Sequence, residues 1–189
     1  DRYRKDNPDG EIPTFCTFHS FCYSLIASDF KIANALGYFK GVPSVADTAD
    51  LRKIHTMCVQ QCGTKLSEDK LSGKVPISKS EKFQYDIYWK QYRKLLVQNY
   101  LITFDIMCNE VCHLFSSNNP LIHNYKERYK YIFVDEFQDT DYKQWDFVSS
   151  FTNSNLFVVG DAKQNLYSFR GTSNEIIKSL AESPEWETI

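Results

Sequence analysis

The sequence predicts an α/β fold, a parallel sheet with flanking helices that carries a small all-helical insertion. Three observations predict it. Tyr131-Ile132-Phe133-Val134 is a short apolar run, and the acids Asp135 and Glu136 follow only at its C-terminal end. Such a run reads as a strand buried on both faces of a parallel sheet. Leu156-Phe157-Val158-Val159 repeats the pattern and ends in Gly160-Asp161. Between positions 46 and 100 the apolar residues recur at helical spacing instead, with no strand alternation.

Arg4 to Gly10 reads as an exposed turn, and Ile12 to Phe18 as a strand in which Pro13 is tolerable at the beginning or on an edge. The next helix carries Phe18, Phe21, Cys22 and Leu25 on one face. His19 stands at the junction, where a helix N-terminus can receive a phosphate. The alternative is a histidine bonded to backbone. Gly37 to Pro43 is a break. Asp47 then caps a helix with Leu51, Ile54, Cys58, Val59 and Cys62 inward, closed by Gly63. Residues 64–80 are polar and loop-like. Ser80 opens a long helix bearing Phe83, Ile87, Tyr88, Tyr92, Leu95 and Leu96. Residues 46–100 therefore read as a helical insertion between two segments, 1–45 and 101–189, of one α/β domain.

Lys90, Arg93 and Lys94 read as a solvated helix face, with guidance of nucleic acid as the alternative. Thr103 caps a helix with Ile106, Met107, Val111, Leu114 and Phe115, and a short helix follows Pro120. Trp145, Phe147 and Val148 mark a helix joining the two apolar strands, which makes a right-handed βαβ unit. Asn174 to Leu180 supplies one more helix, and Glu187-Thr188-Ile189 begins another strand. Both ends read as cut, so the chain is expected to be an internal piece of a larger protein.

A chain of 189 residues suits one domain with an insert, and 42% hydrophobic residues are ample for a core. A net charge of −2 excludes a surface coated in base, so any grip on nucleic acid is local, through stacking and a few cations. No apolar run reaches the ~18 residues of a membrane helix. No signal peptide is visible, so a cytoplasmic location is expected. The six cysteines include two i,i+4 pairs, Cys58/Cys62 and Cys108/Cys112, besides Cys16 and Cys22. Four thiolates on two facing helices would suit zinc or an iron–sulfur cluster. The ordinary reading is small hydrophobes in a core.

Ligands of open α/β sheets lie beyond the carboxyl ends of the strands, where Asp135 and Glu136 are delivered. Two adjacent carboxylates there suit a magnesium-nucleotide site, one facing the metal and the other orienting water. The second loop, Asp161 to Gly171, brings Gln164 near as a reporter of a terminal phosphate. Tyr167, Phe169 and Arg170 can stack on unpaired bases, each stack worth roughly 1–3 kcal/mol. Taken alone, Tyr167 and Phe169 read as packing residues.

Taken together, Val134-Asp135-Glu136-Phe137-Gln138-Asp139-Thr140 and Val158-Val159-Gly160-Asp161-Ala162-Lys163-Gln164-Asn165-Leu166-Tyr167-Ser168-Phe169-Arg170-Gly171-Thr172 resemble motifs II and III of the UvrD/Rep-like superfamily 1 DNA helicases. Thr17-Phe18-His19-Ser20-Phe21 resembles that family's TFHSF motif. Thr103-Phe104-Asp105-Ile106 is similar to its DFxDLL stretch, and Tyr125 to Tyr129 also matches. Asn165 and Thr172 depart mildly from the family pattern, and the single acid Asp105 stands where many relatives carry two.

The resemblance implies part of a RecA-like motor domain with a short helical subdomain. It implies that Asp135 holds magnesium, that Glu136 orients and activates water, and that Gln164 senses the γ-phosphate of ATP. Thr17, His19, Tyr167, Phe169 and Arg170 would line a single-stranded DNA path, while Gln138, Asp139 and Asp161 couple the two motifs. The implied activity is ATP-driven 3′→5′ movement on single-stranded or 3′-tailed duplex DNA. A phosphate cradle GxxxxGK[ST] is missing: Gly73-Lys74 is followed by Val75, without the upstream glycine. The cradle and the later arginines would belong to the remainder of the parent. These 189 residues alone are expected to bind ATP and magnesium weakly, to hydrolyse nothing, and to hold single strands only in a salt-sensitive way.

Two other readings compete. A non-catalytic DNA-binding or scaffolding relative has no physical need to keep Asp135, Glu136 and Gln164 together. A two-metal nuclease built on Asp135, Glu136 and Asp139 lacks a lysine alongside acids from different elements.

Overall fold

The computed structural model describes residues 13–117, 119–161 and 174–187. Helix α1 (Phe18–Ser28) begins where the Thr17 hydroxyl accepts the Ser20 amide at 3.1 Å, and it buries Cys22, Leu25 and Ile26. Asp29 ends α1 and caps α2 (Phe30–Ala35) through the Lys31 amide at 2.7 Å. Gly37, at φ +93°, then turns the chain back. Tyr38 N reaches Ala33 O and Gly37 N reaches Asn34 O, both at 2.9 Å, which satisfies the last carbonyls of α2.

Strand β1 (Ser44–Val45) pairs in parallel with β2 (Leu101–Ile102), so the chain leaves and rejoins this place at adjacent positions. Three helices lie between. In α3 (Thr48–Cys62), Asp47 and Asp50 cap each other's amides and Gly63 closes the far end at φ +59°. A one-turn helix α4 (Glu68–Leu71) follows, then α5 (Lys82–Gln98). Ile54 and Cys58 of α3 meet Tyr88, Tyr92, Leu95 and Leu96 of α5 in one apolar cluster. A second cluster joins α1 and α2 to α6 (Phe104–Ser116), α7 (Pro120–Glu127) and α8 (Tyr142–Ser149), and Ile106 packs against both. Strands β3 (Tyr131–Val134) and β4 (Asn155–Val158) pair in parallel, Tyr131 opposite Asn155 through Val134 opposite Val158. Helix α9 (Asn174–Glu182) comes last.

Among the described residues this is a mixed α/β architecture with two parallel sheets of two strands each. It is compatible with part of a RecA-like domain, without the larger sheet of a complete one. No described helix is long and apolar enough to cross a membrane.

Several expectations need correction. Residues 13–17 form no strand: Pro13 offers no N–H, and nothing described pairs with the exposed segment. Residues 64–80 are not all loop, because Ser67 caps α4. Helix α5 begins at Lys82 and not at Ser80, and its Phe83 and Ile87 face outward. Strand β3 is half-buried on one face and exposed on the other. Ile132, Val134 and Leu156 pack on the second cluster, whereas Tyr131 is 61% and Phe133 72% exposed. The rings of Phe133 and Phe157 stack on that open face at 4.8 Å, 13° from parallel. A groove of about 1050 Å³ reaches Phe133 and Phe157 and is lined also by Trp145, Leu156, Ile177, Leu180 and Trp186. Of the final expected strand, Glu187 is irregular and residues 188–189 lie outside the described part, as do 1–12.

Arg93 is not on a solvated face. It is half-buried, bonding Leu36 O at 3.3 Å, Tyr38 Oη at 3.4 Å and Glu110 Oε1 at 3.2 Å. Lys90 and Lys94 are exposed as expected. The cysteine pairs lie in separate clusters, Cys58/Cys62 in the first and Cys108/Cys112 beside Cys22 in the second. Four thiols therefore do not converge, and no three metal-ligating side chains gather among the described residues. Burial pushes the Cys58 and Cys112 thiols up to about 12, as expected for core hydrophobes.

Candidate active site

The inward side chains of β3 anchor the strand, and its ladder with β4 carries on past the last strand residues. Val159 N donates to Val134 O, and Phe137 N to Val159 O, both at 2.9 Å. That pairing presents the next residues at the carboxyl edge of the sheet. Asp135 and Glu136 are both exposed there. The Asp135 carboxylate accepts the Glu136 amide at 2.9 Å.

Glu136 adopts the left-handed region, φ 49° and ψ 43°. For a residue with a Cβ this conformation costs about 1–3 kcal/mol and persists only where its surroundings hold it. A single 3-10 turn, Phe137–Asp139, follows immediately. Phe137 is buried edge-on against Trp145 at 5.4 Å, and the Asp139 amide bonds Glu136 O at 2.9 Å. Asp139 itself is exposed.

The turn brings Gln138 back beneath the acids. Gln138 is only 3% exposed and uses both ends of its side-chain amide. Nε2 donates to Glu136 Oε2 at 2.6 Å, and Oε1 accepts the Asp161 backbone amide at 2.9 Å. Asp135, Glu136, Gln138 and the backbone at Asp161 thus form one hydrogen-bonded group spanning the turns after β3 and β4. Gln164, Tyr167, Phe169 and Arg170 lie outside the described residues, as do Asn165 and Thr172.

Thr17 and His19 occupy a different place, the exposed N-terminus of α1. The Thr17 hydroxyl is engaged as the helix cap and donates to Ser20 Oγ at 3.0 Å. The His19 ring meets Phe104 edge-on at 5.3 Å and 90°. Phe104 is 53% exposed at the start of α6, a helix that packs on α1. Sequence reasoning singled out the stretch around Phe104 but not this aromatic neighbour. Its signal was an aromatic directly after the Thr103 cap, where a solvent-facing first turn gives no packing reason for one.

Chemically, two exposed carboxylates at a strand end offer hard oxygen donors of the kind magnesium takes. The amide on Glu136 Oε2 fixes one carboxylate oxygen and leaves the other to act on a proton. The only Gly-Lys, Gly73-Lys74, sits after α4, with Gly73 at φ +79° in open space; no phosphate cradle forms there.

The family model described as UvrD/REP helicase N-terminal domain matches residues 4–185. A probable DNA helicase II homolog of Mycoplasma capricolum subsp. capricolum is 29% identical over 87% of this chain and 26% of its own length. The ATP-dependent DNA helicase PcrA of Bacillus subtilis is 28% identical over 82% of this chain and 23% of its own. A probable DNA helicase of Mycoplasma pneumoniae is 40% identical over 48% of this chain and 18% of its own. The chain thus spans a quarter or less of the length of most of these relatives.

Proposed function

This chain belongs to the UvrD/REP helicase N-terminal domain family, and from that premise we propose that it is the middle of the first motor domain of an ATP-dependent DNA helicase. Residues 1–45 and 101–189 are the two segments of that domain, and 46–100 is its helical insertion. The parallel β1–β2 clasp, which holds both ends of the insertion side by side, supports this division. The full protein moves 3′→5′ along single-stranded DNA or the tail of a 3′-tailed duplex.

The observation that carries the reading is the bonded group at the sheet edge: Asp135 and Glu136 exposed at the end of β3, tied by Gln138 to the backbone at Asp161. Asp135 holds the magnesium that accompanies ATP. The bound ion supplies charge neutralisation at the transferred phosphate. With Oε2 fixed by Gln138, Oε1 of Glu136 takes the proton of the attacking water. Gln138, Asp139 and Asp161 couple that acid to the loop bearing Gln164, which senses the terminal phosphate. Thr17 and His19, with Tyr167, Phe169 and Arg170, line the strand path.

Glu136→Gln in the full-length helicase tests this. Nucleotide affinity is expected to survive while DNA-stimulated hydrolysis falls by about 10²–10⁴-fold, the usual worth of a positioned general base. An unchanged turnover would remove Glu136 from the chemistry and with it the reading.

A further inference from the structure

The turns after β3 and β4 meet at a point that has no room for a side chain. A Cβ built on Gly160 would stand 2.7 Å from Gln138 Oε1, and 3.1 Å from the backbone nitrogens of both Phe137 and Gln138. Such contacts lie well inside ordinary van der Waals separation. The Gln138 amide cannot swing away cheaply, because it is buried and both its ends are bonded. The two backbone nitrogens have even less freedom, since Phe137 N is part of the ladder to Val159.

We infer that Gly160 is a positioning residue for the hydrolytic site: its missing side chain is the gap through which Gln138 reaches from one turn to the other. Through that gap a single amide sets the Glu136 carboxylate and holds the chain at Asp161 in register with it. A displacement of the backbone after β4 is therefore transmitted to Glu136 Oε2 by two hydrogen bonds, without any change in the strands. Glu136 feels such a shift strongly because its left-handed backbone already depends on its surroundings. The inference rests on the reading of Glu136 as the acid that handles the attacking water.

The test is a double-mutant cycle in the full-length helicase, with Gly160→Ala, Gln138→Ala and the two combined. The readouts are kcat and KM for ATP with saturating single-stranded DNA. A misplacement near 1 Å can cost up to about 100-fold, so Gly160→Ala is expected to lower kcat at least about tenfold. KM for ATP should stay within about twofold, since binding contacts are untouched. Gln138→Ala should lower kcat comparably. In that background the added methyl should cost several-fold less than in the wild type, because the oxygen at 2.7 Å is gone and only the backbone nitrogens at 3.1 Å remain.

Wild-type kcat in Gly160→Ala overturns the inference, and so does an equal loss in both backgrounds. If Gly160→Ala fails to fold, restoration of folding by Gln138→Ala supports the clash and failure to restore it refutes it. Glu136→Gln separates the two claims. An active Glu136→Gln enzyme sinks the underlying reading, whereas an inactive one beside a normal Gly160→Ala enzyme sinks the positioning role alone.

Discussion

Glu81 accepts three hydrogen bonds at once, from Lys70 Nζ at 2.5 Å, Ser78 N at 3.0 Å and Ser78 Oγ at 2.9 Å. The Lys70 bond, with help from Ser78, lowers its pKa from 4.5 to about 2. A carboxylate depressed in the folded state stabilises it fully above the unfolded value, and the contribution is lost as pH falls toward the folded one. The melting temperatures of the wild type and of Glu81→Gln should therefore differ at pH 7 and converge between pH 4.5 and 2. A gap that persists at pH 2 would show that the bonds do not set this titration. Glu136 marks what residue-level reading cannot reach. Its acid character was plain from its neighbours, but its left-handed backbone stands beside a ladder bond from Phe137 to Val159, a long-range contact that no local pattern encodes.

Arg93 shows the same limit among whole elements. On α5 it looked like one more cation beside Lys90 and Lys94. It instead ties α5 to the end of α2 through Leu36 O and to α6 through Glu110. Tyr38 completes the tie: its hydroxyl donates to Leu101 O at 2.7 Å, and its ring lies 5.9 Å from the guanidinium. Removing a half-buried guanidinium that makes several charge-assisted bonds costs about 1–2 kcal/mol after allowance for partial exposure. Arg93→Ala should lose that much in urea unfolding, whereas Lys94→Ala on the exposed face should change stability by less than about 0.5 kcal/mol. Equal effects from the two substitutions would remove Arg93 as a clamp. Helix starts were far more legible than this contact, because a cap is a local bond. Asp47 and Gly63 announce the two ends of α3, and Thr103 announces the start of α6. The strand expected over Ile12 to Phe18 fails for the opposite reason, since a strand exists only where a partner ladder does, and residues 13–17 have none among the described residues.

At the scale of the whole chain, the open face of β3 and β4 is the largest departure from expectation. Tyr131, Phe133, Phe157 and Val159 are all more than 40% exposed on it. Contiguous apolar surface of this kind binds hydrophobic dyes and promotes self-association. The 189-residue chain should therefore enhance the fluorescence of 8-anilinonaphthalene-1-sulfonate and associate with rising concentration. Phe133→Ser with Phe157→Ser should weaken both. Because the rings are already exposed, the melting temperature should move by only about 1–2 °C. A large drop would mean that these rings are packed in solution.

Periodicity, capping residues and strand-end acids are local properties, so most of the longer helices, the parallel βαβ reading and the placement of Asp135 and Glu136 at a sheet edge could be read directly from residue order. Contacts between segments far apart in the chain could not. The amide of Gln138 spans the turns after β3 and β4, Arg93 joins helices whose partners lie elsewhere in the chain, and one sheet face stays open because cover depends on what packs against it. Those features arise only when the folded backbone brings distant atoms within bonding or steric range, as at Gly160, where 2.7 Å leaves no space for a methyl group.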